Sequence, residues 1–214
     1  MTPLSKSDAC QSQSESQPEK PGTLGPPPLE TARLLLRAAR PADDAALFDY
    51  ARDPEVARFT TWEPHVCLTD AQQFLARVLD DYRVGKIGYW AIEHQGDQKL
   101  IGAVGLAGKL VSAETPPQFI HARAELAYVL ARPYWNQGLM TEAAREVLQF
   151  GFAQWNLNRI EARCLVENIA SARVMEKLGM NFEGTLRQQM HIKGVFRDVK
   201  IYAVLKSDWQ RLNL

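Results

Sequence analysis

The strand-like run Glu125-Leu126-Ala127-Tyr128-Val129-Leu130, the turn from Ala131 to Gly138, and the run from Leu139 to Phe152 decide the fold of this chain. The first run reads as a buried strand. In the last, Leu139, Met140, Ala143, Ala144, Val147, Leu148, Gly151 and Phe152 fall on one stripe. Thr141, Glu142, Arg145, Glu146 and Gln149 fall on the other, the pattern of a helix packed on a sheet. Between them Pro133 cannot continue a ladder, and Asn136-Gln137-Gly138 contains the two residue types that most easily take positive φ. Consecutive N–H groups there can converge on one concavity, which the free N–H groups and positive dipole end of the helix also face. Strand, nest and helix start together predict an anion site, most often one for phosphate; a tight turn without a ligand is the alternative. No G-x-G-x-x-G follows the strand and no Gly-Lys-Ser/Thr occurs, which excludes the dinucleotide fingerprint and the P-loop.

Working outward, 214 residues with 46% hydrophobic content suffice for one good core and predict one folded domain over 29–214. The segment Met1 to Pro28, rich in Ser, Gln, Pro and Glu, is expected to be a disordered leader. Lysine plus arginine equals aspartate plus glutamate, 25 against 25, so no global basic field calls for nucleic acid. Cys10, Cys67 and Cys164 are odd in number and lack C-x-x-C spacing, which argues against disulfides and zinc and fits a reducing, cytoplasmic setting. His65, His94, His121 and His191 show no spacing for a metal. No apolar run approaches the roughly 20 residues of a membrane span.

Arg33 to Arg37 reads as the first strand, and Pro41 and Pro54 each stand at a first helical position. Phe59 to His65 is an irregular aromatic loop. Thr69-Asp70-Ala71-Gln72 resembles a capping box, opening a helix that runs to Gly85. The period then becomes alternating: Gly88 to Glu93, a Gly96-Asp97 turn, Leu100 to Leu106, a Pro116-Pro117 loop from Lys109 to His121, and the Glu125 strand. Arg159 to Val166 is the next strand. Asn168 to Leu178 is a helix ended by Gly179, and Phe182 to Ile192 with Val195 to Leu205 a closing hairpin around Lys193-Gly194. The expected class is α+β, with a mixed, twisted sheet of about seven strands and helices on both faces.

The segment Pro133-Tyr134-Trp135-Asn136-Gln137-Gly138-Leu139-Met140-Thr141-Glu142-Ala143 resembles the acetyl-CoA-binding motif of the GNAT N-acetyltransferases. Leu157 to Arg163, Glu167 to Met180, Glu183 to Arg187 and Gly194 to Val199 extend the likeness. Together they look like the ribosomal-protein-alanine acetyltransferase branch, over roughly Leu29 to Leu214. The resemblance implies an acyl-CoA N-acyltransferase fold whose fourth and fifth strands splay into a slot. It implies acetyl-CoA as acyl donor, no metal, and direct transfer to an amine in a ternary complex. The acceptor it implies is a protein or peptide N-terminal α-amine, as on a ribosomal protein. A small amine (amino acid, polyamine or antibiotic) and a catalytically weak acyl-CoA-binding module are the alternatives. Monomer and homodimer both stand, with no membrane or nucleic-acid partner.

By the same resemblance, the pyrophosphate grip falls on Asn136, Gln137, Gly138, Leu139 and Met140, with Thr141 adding a hydroxyl. Trp135 and Met140 depart from the usual signature. Backbone groups near Val129 and Leu130 would receive the pantetheine amides as an added strand. Glu125 matches the acidic strand position proposed as general base; an ion pair with Arg123 or Arg163 is its other reading. Asn168 matches a ligand of the cofactor arm and is also a good N-cap. Seven residues on, where relatives place a tyrosine acid, stands Met175; Ser171 is the nearest replacement, and also a plain capping-turn serine. Trp62 and Tyr89 are the substrate-side candidates, the acceptor entering between the Trp62 loop and the Lys193-Gly194 hairpin.

Overall fold

The alternating stretches become strands of one sheet, and the apolar stripes become helices on both of its sides. The computed structural model describes residues 25–84, 88–107 and 123–212. The leader up to residue 24, Gly85 and the Pro116-Pro117 loop lie outside the described residues.

The strands are β1 (Leu29–Glu30), β2 (Leu34–Arg37), β3 (Tyr89–His94), β4 (Lys99–Ala107), β5 (Arg123–Leu130), β6 (Arg159–Leu165), β7 (Asn181–Ile192) and β8 (Val195–Leu205). They lie in the order β1-β2-β3-β4-β5-β6-β8-β7, antiparallel throughout except for β5 beside β6. The helices are α1 (Asp44–Ala51), α2 (Pro54–Ala57), α3 (Leu68–Arg83), α4 (Leu139–Ala153), α5 (Ile169–Lys177) and α6 (Lys206–Leu212). Eight strands replace the expected seven because β1, only two residues long, carries no readable period. The seven-residue α6 was also unforeseen. It is anchored by buried Trp209, whose Nε1 donates to Gln149 Oε1 at 2.8 Å.

Alternation along β3, β4 and β5 divides the apolar residues between two cores. One lies under α4 and α5, where Trp90, Val104, Leu126 and Ile160 meet Leu139, Val147, Leu148 and Met175. The other lies under α1, α2 and α3, where Ala91 and Leu100 meet Leu47, Tyr50, Leu75 and Val78.

Two local expectations are corrected. The capping box of α3 is built on Cys67, not Thr69: Asp70 Oδ2 accepts from the Val66 N–H at 2.8 Å and the Cys67 N–H at 3.1 Å. Thr69 falls inside the first turn because Asp70, the reciprocating side chain, stands three residues after Cys67. Pro26 and Pro27, expected to lie in the leader, instead join the fold: Pro26 is buried and the Pro27 carbonyl accepts the Trp90 indole N–H at 2.9 Å. An indole in the core needs an acceptor, and this carbonyl supplies it. At α5 expectation and fold agree. Asn168 caps α5, and past its C-terminus Gly179 at φ 77 lets the Met180 N–H reach the Met175 carbonyl at 3.1 Å.

A buried charge network pins β2 to α1 and β3. Arg37, 7% exposed, places Nη1 and Nη2 on the two Asp43 oxygens at 2.9 and 2.8 Å, and Nε on Glu93 at 2.7 Å. These partners hold the guanidinium above its ordinary pKa against the cost of burial. Arg37→Met would strand the Asp43 carboxylate beneath the sheet. It should cost about 3–5 kcal/mol of unfolding free energy in a denaturant titration; a loss within the range of surface substitutions would show that the network is dispensable.

Candidate active site

The site forms where β5 and β6 part. Their parallel pairing runs from Arg123↔Arg159 to Leu126↔Ala162 and then stops. β5 nevertheless stays on β4 to its end, at Gly102↔Leu130, and β6 stays on β8 to Leu165↔Val199. The expected slot is therefore present between the same two strands, now fifth and sixth because β1 is counted. Beyond Leu126, one edge of β5 has no neighbouring strand among the described residues.

Which groups line that edge follows from the ladder. The Ala131 N–H donates to the Ile101 carbonyl at 2.7 Å. Alternation in an antiparallel pair then turns the backbone groups of Val129 toward β4 and those of Tyr128 and Leu130 toward the slot. Val129 thus lies on the other side of the ladder from the groups expected to face the opening. The Leu130 carbonyl is taken as well, accepting the Trp135 indole N–H at 2.7 Å. The Trp135 departure in the sequence acquires this local role.

The nest follows directly. Asn136 has φ 60 and Gly138 φ 77, and Gly138 is the N-cap of α4 with no side-chain cap bond. The first backbone bond of the helix runs from the Glu142 N–H to the Gly138 carbonyl, at 3.0 Å. Among the described residues, the consecutive N–H groups of Asn136, Gln137, Gly138, Leu139, Met140 and Thr141 have no acceptor. Six free donors in a row at the positive end of a 15-residue helix fit an anion with several oxygens, such as a diphosphate. Met140, bulky for this place, turns its side chain into the core and leaves its N–H in the nest.

Two further residues, which the sequence reading placed in strands but not in the site, complete the surroundings. Tyr128 shares the β5 face that packs toward α5. Its hydroxyl lies 2.8 Å from Ser171 Oγ and donates to the Ser171 carbonyl at 3.1 Å. Burial pushes this phenol well above its ordinary pKa, with the Ser171 bond pulling the other way, so it stays protonated near neutrality. Strand alternation already put Tyr128 on that face, but only the packing of α5 shows what it meets. Arg33, just before β2, donates from Nε to Glu142 Oε2 at 2.8 Å and from Nη1 to the Gln137 carbonyl at 3.0 Å. Ser171 and Asn168 are joined by a cap bond of 3.1 Å from the Ser171 N–H to Asn168 Oδ1.

Glu125 is held by Arg163, which reaches one oxygen through Nε at 3.0 Å and the other through Nη2. The ion-pair reading of this residue is the geometry found. Trp62 and Tyr89 line one cavity of about 820 Å³ together with His65 and Phe74, and its wall reaches β5 at Ala127 and Tyr128. The cavity meets the slot from the side of α1 and α3. Burial lowers the His65 pKa, so the ring is neutral near pH 7. The anticipated gap between the Trp62 loop and the hairpin is bridged, because Lys193 Nζ donates to the Ala57 carbonyl at 2.7 Å. Met175 is wholly buried and cannot stand in for an acid. Among the described residues no group of three His, Cys, Asp or Glu side chains is placed to hold a metal, and no helix is long and apolar enough to cross a membrane.

With this geometry in hand, the chain can be set beside known proteins. The profile of the acetyltransferase (GNAT) domain matches residues 33–181. The uncharacterized N-acetyltransferase YoaA of Bacillus subtilis is 32% identical over 183 residues, covering 84% of this chain and 97% of that protein. The [ribosomal protein uS5]-alanine N-acetyltransferase of Escherichia coli is 24% identical over 186 residues, covering 85% and 92%. In shape, the chain is similar to the Vibrio cholerae spermidine N-acetyltransferase solved with CoA and spermine. That match has a TM-score of 0.67 at 21% identity and covers 84% of this chain and 99% of the other.

The pairing around the nest has a pH signature. Burial works against the Glu142 carboxylate, but hydrogen bonds from Thr31 and Arg33 outweigh it and hold the carboxyl below its usual value. A depressed pKa contributes stability that is complete above the unfolded value, about 4.3, and is lost as pH falls through the folded one. Thermal midpoints followed from about pH 7 down to about pH 3 should therefore fall less steeply in Glu142→Gln, which starts lower at neutrality. Parallel curves would mean that the carboxyl is not held.

Proposed function

This chain belongs to the GNAT acetyltransferase family, and on that premise we propose that it transfers acetyl from acetyl-CoA directly to the α-amine of a protein or peptide. The observation that carries the donor half is the row of six free N–H groups at the mouth of a slot with a bare β5 edge. A diphosphate suits the donors of Asn136 to Thr141. An amide-bearing arm suits the edge of Tyr128 and Leu130, docking as an added strand. We assign to Asn168, at the head of α5, a bond to the same arm beside its cap bond to Ser171. The Escherichia coli relative, which acts on a ribosomal-protein alanine, favours the N-terminal α-amine. The spermidine enzyme keeps a small amine as the second reading, with the cavity of Trp62 and Tyr89 as its seat. We read the site of action as the cytoplasm, from the unpaired cysteines and the donor.

The chemistry asks for a deprotonated amine and a thiolate able to leave. The amine nitrogen forms a bond to the acetyl carbon as the carbon–sulfur bond breaks; one proton leaves nitrogen and one is available to sulfur. We assign proton removal to Glu125 through a water, since it stands one residue before β5–β6 pairing ends. Arg163 holds both of its oxygens and so fixes its orientation. His65 is the competing base, because it faces the acceptor cavity and is already neutral. We assign to Ser171, hydrogen-bonded to Tyr128, the delivery of a proton to sulfur; a thiol's ordinary pKa near 8.5 makes this assistance modest.

Acetyl-CoA at 100 times its dissociation constant should stabilise the native state by about 2.7 kcal/mol in a thermal-shift assay. Thiol release against a panel of N-terminal peptides and small amines then identifies the acceptor. No shift at millimolar donor would sink the proposal.

The base is decided by two variants. Glu125→Gln should lower turnover at every pH by roughly a hundredfold or more while CoA still binds. If His65→Gln instead removes the acidic limb of the pH profile and Glu125→Gln remains near wild type, the assignment passes to His65. Tyr128→Phe and Ser171→Ala should slow acyl transfer without changing CoA affinity; equal losses of both would place them in binding.

A further inference from the structure

The donor nest needs an orientation that its own residues do not supply, and Arg33 supplies it. The peptide between Gln137 and Gly138 is planar and trans, so its carbonyl and its N–H point in opposite directions. Arg33 Nη1 holds that carbonyl at 3.0 Å from outside the turn. The Gly138 N–H, at the centre of the six free donors, is thereby aimed the other way. A glycine at φ 77 gains no guidance from a side chain, and Arg33 Nη2 is the nearest group to where a Cβ would sit, at 3.8 Å.

Arg33 is itself locked. Glu142, in the first turn of α4, receives its Nε at 2.8 Å, its Nη2 at 2.6 Å and its backbone N–H at 3.0 Å. Thr31 Oγ1 donates to the other side of the same carboxylate, at 2.7 Å. A carboxylate beside an anion site is electrostatically adverse by itself, and here it serves as the anchor for the guanidinium. Resting on the acetyltransferase reading above, we propose that Arg33 is a positioning residue for the CoA diphosphate. Through Glu142, it sets the Gln137–Gly138 peptide so that the nest is formed before the ligand arrives.

The test is the affinity for CoA, measured by calorimetry on the full chain and on Arg33→Gln, Glu142→Gln and the double variant, with the thermal midpoint of each unliganded protein. Positioning predicts that both single variants bind CoA roughly tenfold more weakly and that the double variant is no worse than either. A merely electrostatic role predicts opposite signs, because Glu142→Gln removes a negative charge and would tighten binding; that result overturns the inference. Lowered midpoints with unchanged affinity would make the cluster a structural staple only, and overturn it equally. A native chain that binds no CoA would instead bring down the acetyltransferase reading itself, an outcome distinct from the other two. As a second readout, dephospho-CoA, which keeps the diphosphate, should lose affinity by the same factor as CoA in Arg33→Gln. An effect confined to CoA would move Arg33 to the ribose phosphate and refute its part in the nest.

Discussion

Two strands committed to different neighbours create the working part of this molecule. β5 remains paired with β4 from Glu125 to Leu130 and β6 with β8 along its length, so among the described residues only four residue pairs join the two halves of the sheet. Sheet twist accumulates from strand to strand, and where the pairs end the strands diverge. A buried backbone group without a partner is costly. The fold limits that cost by giving the Leu130 carbonyl to the Trp135 indole and leaving the Tyr128 groups and the Leu130 N–H at an open edge. Around that edge stand the nest at its mouth, the head of α5, and a cavity lined by Trp62, Tyr89, Ala127 and Tyr128.

Charges around this frame do different work according to depth. Arg37 and Asp43 are buried and Glu93 is half-buried, and the bonds of Arg37 to both carboxylates offset its desolvation. Arg33 and Glu142 lie at the surface, where an ion pair contributes little stability and geometry is its main product. Arg163 with Glu125, and Arg159 with Glu183, brace the β6 side. In Glu183 it is the Arg159 bond that holds the carboxyl below its usual value.

The sequence disclosed those parts that repeat with a period or depend on one residue's conformational range. The stripe from Leu139 to Phe152, the alternation of Glu125 to Leu130, the positive φ of Asn136 and Gly138, and the Asn168 cap were all legible, because each is local. Two elements escaped because they are short: β1 has two residues and α6 has seven. The capping box was misplaced by two residues, because a cysteine at the N-cap is an unusual partner for Asp70.

By itself, then, the sequence determined the strand–turn–helix unit, the α+β class and the helices on either face. These are set by local backbone preference and by burial periodicity, which act over a few residues. Only the tertiary structure decided which backbone groups face the slot, since that depends on the register of β5 on β4, and a shift of one residue reverses it. It also brought Tyr128 to Ser171, 43 positions apart, and Arg33 to Glu142, 109 positions apart. No local pattern encodes such meetings, because they arise when helices dock on a completed sheet.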